Sequence, residues 1–179
     1  MKKMIFLAVA CSACLSTLIA QSSLQPSATL QAAMEKLYVM EGQWRGTGWI
    51  QMGPQRHEVL QAESVTRHAN GTALAIDGLG RNAKDTTEVV HQAYAVISYD
   101  QQAGKYLMRA IRGDGNHVDA DFEVKPDGSI VWGFSHPMAG QIRYTIRIDD
   151  TTWTENGEMS RDGQSWMPFF AMTLKREER

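Results

Sequence analysis

From Gly42 to the carboxy terminus, apolar and polar residues alternate with a period of two, and no other feature restricts the fold of this chain as strongly. Runs of β-branched, aromatic and alternating residues fall at about 43–52, 56–68, 72–80, 88–99, 105–112, 116–124, 129–135, 140–148, 152–160 and 164–176. Successive side chains of a strand point to opposite faces, so this pattern marks strands with one dry face and one wet face. Between the runs stand Asn70-Gly71, Asp100 to Gly104, Asp114-Gly115, Pro126-Asp127-Gly128, Asp149-Asp150 and Asp162-Gly163. These residues favour tight reversals, so consecutive strands pair as hairpins. An open meander of ten strands would leave two long edges able to recruit other chains, and closure removes both. The expectation is an all-β fold, a closed antiparallel up-and-down β-barrel of about ten strands. Strand glycines at 46, 48, 78, 80, 133 and 157 suit the coiling that closure needs.

Ahead of the barrel, Leu30, Ala33, Met34, Leu37, Tyr38 and Met40 lie close to a helical stripe, which predicts one short N-terminal helix over 30–41. Within the strands, parity sorts inside from outside. Val118, Ala120, Phe122 and Val124 should face inward, and His117, Asp119, Asp121 and Glu123 outward. A three-residue loop at 113–115 then sets Arg109 opposite Asp119 and Lys105 opposite Glu123. Ile142, Tyr144, Ile146 and Ile148 alternate in the same way with Gln141, Arg143, Thr145 and Arg147, so an amphipathic wall is expected throughout. Pro168 cannot donate to a ladder, which predicts a bulge or gap in the last strand.

The first 20 residues read as an export signal. Lys2 and Lys3 precede an apolar stretch from Ile5 to Leu18, and Leu18-Ile19-Ala20 offers a cleavage context after Ala20. Ser12, Ser16 and Thr17 interrupt the stretch, which is too short for a span of about 20 apolar residues. The reading is a signal peptide over 1–20, a flexible tether over 21–29 and a lipocalin-like barrel domain over 30–179, in a periplasmic or secreted protein. A lipoprotein is the alternative, since Ala10-Cys11 and Ala13-Cys14 put a small residue before cysteine, but Ala8 and Cys11 stand where lipid-attachment sites favour leucine. Both cysteines fall in the signal, so the mature chain is expected to offer no thiol for a disulfide, metal or nucleophile.

A composition of 43% hydrophobic and 21% charged residues, with 5 Pro beside 15 Gly in 179 residues, excludes disordered and collagen-like chains. Without Lys2 and Lys3 the 18 basic residues fall to 16 against 20 acidic ones, a mature charge of −4 that argues against nucleic acid and anionic membranes as partners.

An even number of strands sets the first and last antiparallel at the seam, with Trp44 beside Arg176. Arg176 shares parity with Phe170, Met172 and Leu174, so its guanidinium reaches the inner floor, where a cation–π contact with an indole is worth about 0.5–2 kcal/mol. The segment Gly42-Gln-Trp44-Arg-Gly46-Thr-Gly48, preceded by a short helix and matched by that basic residue, resembles the calycin group of lipocalins, fatty-acid-binding proteins and nitrobindins. Trp153 to Trp166, with Gly157 and Asp162-Gly163, followed by Phe169-Phe170 and Leu174-Lys-Arg176, resembles an exported bacterial lipocalin-like family of unknown function, a likeness spanning roughly residues 30–176. The resemblance implies a small-molecule container or carrier with no assigned ligand. Nitrobindins hold haem through a histidine near the carboxy terminus. Here the last histidine is His136, which argues against haem, and no cofactor is expected.

Ligand sites are mostly apolar with a few convergent polar groups. The expected lining is Met108, Phe122, Trp132, Tyr144, Phe170 and Met172, with His91 or Glu155 as the polar anchor. His91 shares parity with Val89, Ala93, Ala95 and Ile97, and Glu155 with Trp153, Gly157 and Met159. Desolvation inside a barrel would move both toward neutral pKa values, so general acid–base chemistry is the alternative to anchoring, and Glu155 facing water is a third reading. No metal site is predicted. His117, Asp119, Asp121 and Glu123 are spaced by about 7 Å along a strand, too far to share one ion. His136-Pro-Met138 could contact copper, but methionine more often fills core gaps. Arg112-Gly-Asp114 reads as a hairpin tip, and no catalytic triad, P-loop or dinucleotide fingerprint occurs in the strand-to-helix setting it needs. The function expected is noncovalent binding of a small apolar or amphipathic molecule. The alternatives are a cyclase- or isomerase-type enzyme using the same cavity, or a packed interaction module without ligand.

Overall fold

The computed structural model describes residues 24–178; the expected signal peptide and its cleavage point lie outside them. Ser27 opens helix α1 (Ala28–Glu35), its hydroxyl accepting from the Leu30 amide at 3.2 Å and so satisfying one of the first-turn donors. The helix is shorter than the 30–41 stripe predicts. After Glu35 the bonds tighten, with Leu37 N–H donating to Met34 and Met40 N–H to Leu37, and a 3-10 turn follows at Tyr38–Met40. This rotates Leu37 and Met40 alongside Met34, all fully buried on the barrel end.

Ten strands follow: β1 (Gly42–Met52), β2 (Gln55–His68), β3 (Ala73–Asn82), β4 (Val89–Asp100), β5 (Lys105–Arg112), β6 (His117–Val124), β7 (Ile130–His136), β8 (Gly140–Ile148), β9 (Thr152–Ser160) and β10 (Met167–Arg176). Each pairs antiparallel with the next, and β1 pairs with β10 to close the barrel. The seam runs from Trp44 opposite Arg176 to Ile50 opposite Phe170. Register shifts between Pro168 and Phe170, where proline has no N–H to give. Strand β10 starts at Met167 rather than 164, because the Asp162 carboxylate gathers the amides of Gln164 and Ser165 into a turn.

Three expectations about the wall need correction. Arg109 and Asp119 do meet, at 2.6 Å, but Lys105 and Glu123 do not pair. The β5–β6 ladder runs only from Met108–Ala120 to Ile111–His117, and Glu123 takes Lys125 on its own strand end instead. The wall is not amphipathic throughout either, since Tyr94, Val96, Leu107 and Ile111 lie exposed on the outer face of β4 and β5. Finally, a shift between Gly80 and Arg81 turns Val89 outward, while Ala95 and Ile97 of the same strand stay buried.

One end of the barrel is closed by a packed floor. Trp44 stands edge-on to Trp153 with ring centroids 5.8 Å apart, and its Nε1 donates to the Met40 carbonyl at 2.9 Å. The Arg176 guanidinium lies 4.0 Å over the Trp44 ring and donates to the carbonyls of Val39 and Asp150, each at 2.6 Å, and of Glu41. Tyr106 ties α1 down by donating to the Ala33 carbonyl at 2.7 Å. Among the described residues, no helix is long and apolar enough to cross a membrane.

Candidate functional site

Above this floor the lumen is open. A cavity of about 580 Å³ runs from Met40 and Trp153 toward the opposite end, where Arg112, His117 and His136 stand at the mouth. Its polar wall comes from β2 and β3. The inward parity of β2 is Val59, Gln61, Glu63 and Val65, all buried, so two polar side chains occupy positions that a barrel ordinarily gives to apolar ones. The facing strand makes room for them. Gly78 is the register partner of Glu63 and Gly80 that of Gln61, and a Cβ at these glycines would lie 2.7 Å from Glu63 Oε2 and 2.6 Å from Gln61 Oε1. Gln61 Nε2 donates to Glu63 Oε1 at 2.7 Å.

Glu155 enters the same space from β9 and is 6% exposed. Its Oε1 accepts from Trp132 Nε1 at 3.0 Å. Neither Glu63 Oε2 nor Glu155 Oε2 accepts a hydrogen bond from the described residues. Trp153 Nε1 is buried without a partner in hydrogen-bond geometry, yet near enough to Glu155 to favour its ionised form. Burial pushes the Glu63 carboxyl up to about 8, against the Gln61 hydrogen bond and with further upward pressure from Glu155 and Asp77. Burial likewise pushes Glu155 up to about 7, the indoles of Trp132 and Trp153 pulling the other way. Each carboxyl therefore changes charge near neutral pH.

The aromatic wall comes from β7, β8 and β10. Trp132 stacks on Tyr144 with centroids 4.0 Å apart and planes 6° from parallel, and Phe170 meets Tyr144 edge-on at 5.8 Å. Burial raises the Tyr144 phenol above its ordinary range, so it stays neutral. Phe122, Met108 and Met172 complete the apolar lining. Together with Trp132, Tyr144, Phe170, His91 and Glu155, the residues selected from sequence all line this one cavity.

They do not all act at one point. His91 lies near the mouth, two residues into β4, on the rung that joins Gln61, Gly80 and His91. Burial, and then the positive charge of Arg112, lower its imidazole pKa. Glu155 is deep, three residues into β9 from the floor end, and its hydrogen-bond partner is Trp132 rather than a base. Sequence reasoning missed Gln61 and Glu63. Their shared parity with Val59 and Val65, opposite two glycines, was the signal that could have found them.

The remaining candidates make contacts that hold turns. The ring of His136 accepts the amides of Met138 and Ala139 at 3.2 Å through Nδ1, fastening the turn after β7 while Met138 points to solvent. Arg112 and Asp114 pair at 3.0 Å across the hairpin tip. Among the described residues no group of three histidine, cysteine or acidic side chains is placed to hold a metal. Strands β9 and β10 carry no histidine, so haem held as the nitrobindin resemblance implies has no ligand on that wall.

No known protein-family profile matches the sequence, and no curated protein matches it. Solved structures do match in shape. Rv2717c from M. tuberculosis superposes with a TM-score of 0.61 at 17% identity, over 86% of this chain and 100% of that one. The S-type phycobiliprotein lyase CPES from Guillardia theta gives a TM-score of 0.56 at 11% identity, over 84% of this chain and 93% of that one. At these identities the shared property is the closed antiparallel barrel itself.

Proposed function

We propose that this chain is an exported container that holds one small apolar or amphipathic molecule noncovalently in the barrel. The observation that carries this reading is the lumen of about 580 Å³, closed below by Trp44 and Trp153 and lined by an aromatic wall facing a few buried polar groups. That combination of volume, apolar lining and sparse polar anchors is the general form of a small-molecule site. Export rests on the basic and apolar pattern of residues 1–20. It is tested by fractionating cells and weighing the purified chain, which should begin at Gln21.

Native mass spectrometry of the protein from its own source, followed by titration with hydrophobic dyes and fatty acids, tests the container. A copurified small molecule, or saturable one-to-one binding that quenches the lumen tryptophans, is expected. Failure of every probe to bind the folded protein overturns it in favour of a barrel that only packs or interacts. Two carboxyls titrating near neutrality also favour a second reading, proton transfer on a bound substrate. That reading requires a turnover that Glu155→Gln abolishes while the barrel stays folded.

A further inference from the structure

The deep half of the lumen presents acids without a base. Glu63 and Glu155 are each more than nine-tenths buried, line the same cavity, and each keep one carboxyl oxygen that no described side chain or backbone group satisfies. The cations that line the cavity pair with neither acid: Arg112 bears on His91 and on the Tyr144 phenol. Arg112 is the last residue of β5, pairs with Asp114, and lies beside His91, which enters two residues into β4. An anionic headgroup placed deep would meet two carboxyls and no positive partner, whereas a cation would meet two acceptors. Next to them, the Trp132 and Tyr144 rings form a stacked platform that Trp132 Nε1 locks to Glu155.

We propose that the lumen selects organic amines, seating an ammonium between Glu63 and Glu155 and laying an aromatic or alkyl body against Trp132 and Tyr144. This rests on the container reading and names the chemistry of its ligand. An ammonium carries three donors and no acceptor, which matches the two open carboxyl oxygens, and the faces of nearby indole and phenol rings attract the same charge. A neutral alcohol could use the same oxygens, but would leave the ionised pair uncompensated. The glycines at 78 and 80 fit this role, since they admit Gln61 and Glu63 to the lumen where a Cβ would collide with them.

Binding must be linked to protons. The charged and polar groups facing the site are Gln61 and Glu63 on β2, His91 on β4, Arg112 on β5, Trp132 on β7, Tyr144 on β8, and Trp153 and Glu155 on β9; beyond burial, Glu155 and the exposed Asp77 of β3 raise Glu63, and the indoles lower Glu155. In the empty lumen at pH 6 Glu155 is mostly protonated, so an arriving ammonium has to expel its proton. With a pKa of about 7 the ionised fraction of Glu155 grows about tenfold from pH 6 to pH 8, and that of Glu63, at about 8, grows more steeply, so amine affinity should grow at least tenfold.

The test is calorimetry on the mature chain with three ligands that share one hydrocarbon body: naphthalen-1-ylmethylamine, naphthalen-1-ylmethanol and naphthalene-1-carboxylate. The amine should bind at least tenfold tighter than the alcohol at pH 8, and the carboxylate weakest. Titrations in buffers of different ionisation enthalpy should show proton release at pH 6 that fades by pH 9. Glu63→Gln with Glu155→Gln should erase the preference for amine and retain the alcohol. If that double variant does not fold, the pH dependence of the unaltered protein and the single Glu155→Gln variant decide instead. Alcohol or carboxylate binding as tightly as the amine overturns this inference and leaves the container standing. If none of the three binds and hydrophobic dyes fail as well, the container falls and the amine site with it.

Discussion

The floor and the lumen of this barrel use the same kinds of residue to opposite ends. At the floor a tryptophan and a charge meet with nearly every group satisfied: Trp44 donates to Met40, and Arg176 covers the Trp44 ring while donating to three carbonyls. In the lumen, opposite Trp44 on β2 and two residues beyond Trp153 on β9, the charges are left incomplete. Among the described residues, Glu63 and Glu155 each hold one hydrogen bond and one open oxygen, and the Nε1 of Trp153, which belongs to both floor and lumen, has no partner. Buried polar groups are ordinarily paired, because an unpaired one costs about 1–3 kcal/mol. A chain that completes its polar contacts at one end and leaves them open at the other has divided its interior into a part that holds the fold and a part that waits for something to finish it.

Breaking the floor should have the largest effect. Trp44→Ala removes a fully buried indole, orphans the Met40 carbonyl and uncovers Arg176, and should cost about 3–5 kcal/mol in urea-induced unfolding. A loss below 1 kcal/mol would mean that the floor is not where the stability lies. The lumen should answer to pH instead. The folded-state values of about 8 for Glu63 and about 7 for Glu155 lie above the unfolded value of 4.5. Between these limits the folded chain keeps protons that the unfolded chain has released. Stability is therefore fully present below about pH 4.5, declines as pH rises, and has lost this contribution above about pH 8, by about 3–5 kcal/mol for each carboxyl. Carboxylates with lowered values, such as Asp127, Asp149 and Asp162, act below pH 4 and do not enter this window. Unfolding midpoints measured from pH 7 to 9 should fall in the unaltered protein and stay level when both glutamates are glutamine; below about pH 6.5 His91, with its lowered value, adds a loss of stability as pH falls that both proteins share. A midpoint independent of pH would remove the electrostatic half of the contrast.

The floor was legible in the sequence because its rules are local and periodic. Strand parity and an even strand count suffice to set Trp44 beside Arg176, and turn residues at fixed spacing suffice to count the strands. The aromatic wall was legible for the same reason, since Trp132, Tyr144 and Phe170 sit on unambiguous apolar parities. The polar wall was not. On β2 the parity Val59, Gln61, Glu63, Val65 competes with Leu60, Ala62, Ser64, Thr66, and nothing within the strand decides between them. The decision comes from β3, where Gly78 and Gly80 provide space that only their register partners can use. Such information is nonlocal, as is the separation of His91 from Glu155, which depends on how far along the barrel each strand has run.

Gly78→Ala tests whether that space is built for the carboxyl. The new Cβ would stand 2.7 Å from Glu63 Oε2, so either the glutamate shifts or the strands part. Overpacking of this kind costs about 1–3 kcal/mol. The floor is untouched, so the barrel should remain folded with its near-ultraviolet tryptophan signal altered, and any lumen ligand should bind more weakly. Unchanged ligand affinity would show that Glu63 is not positioned by the glycine.

The smallest expected effect sharpens the contrast most. At pH 5.5 Glu155 is protonated in the folded state, with its value raised to about 7. Glu155→Gln then exchanges one neutral planar group for another of nearly the same shape, and the amide oxygen can accept from Trp132 Nε1 as the carboxyl does at 3.0 Å. The change in unfolding free energy at that pH should be under about 1 kcal/mol. At pH 9 the same substitution should stabilise the empty protein, because it deletes a buried charge that the unaltered lumen must carry without a cation. A loss of stability at both pH values would mean that the ionised carboxylate is itself a structural partner, satisfied like Arg176 rather than left open. A stabilisation that is small at pH 5.5 and grows toward pH 9 is the signature of a group kept for a ligand.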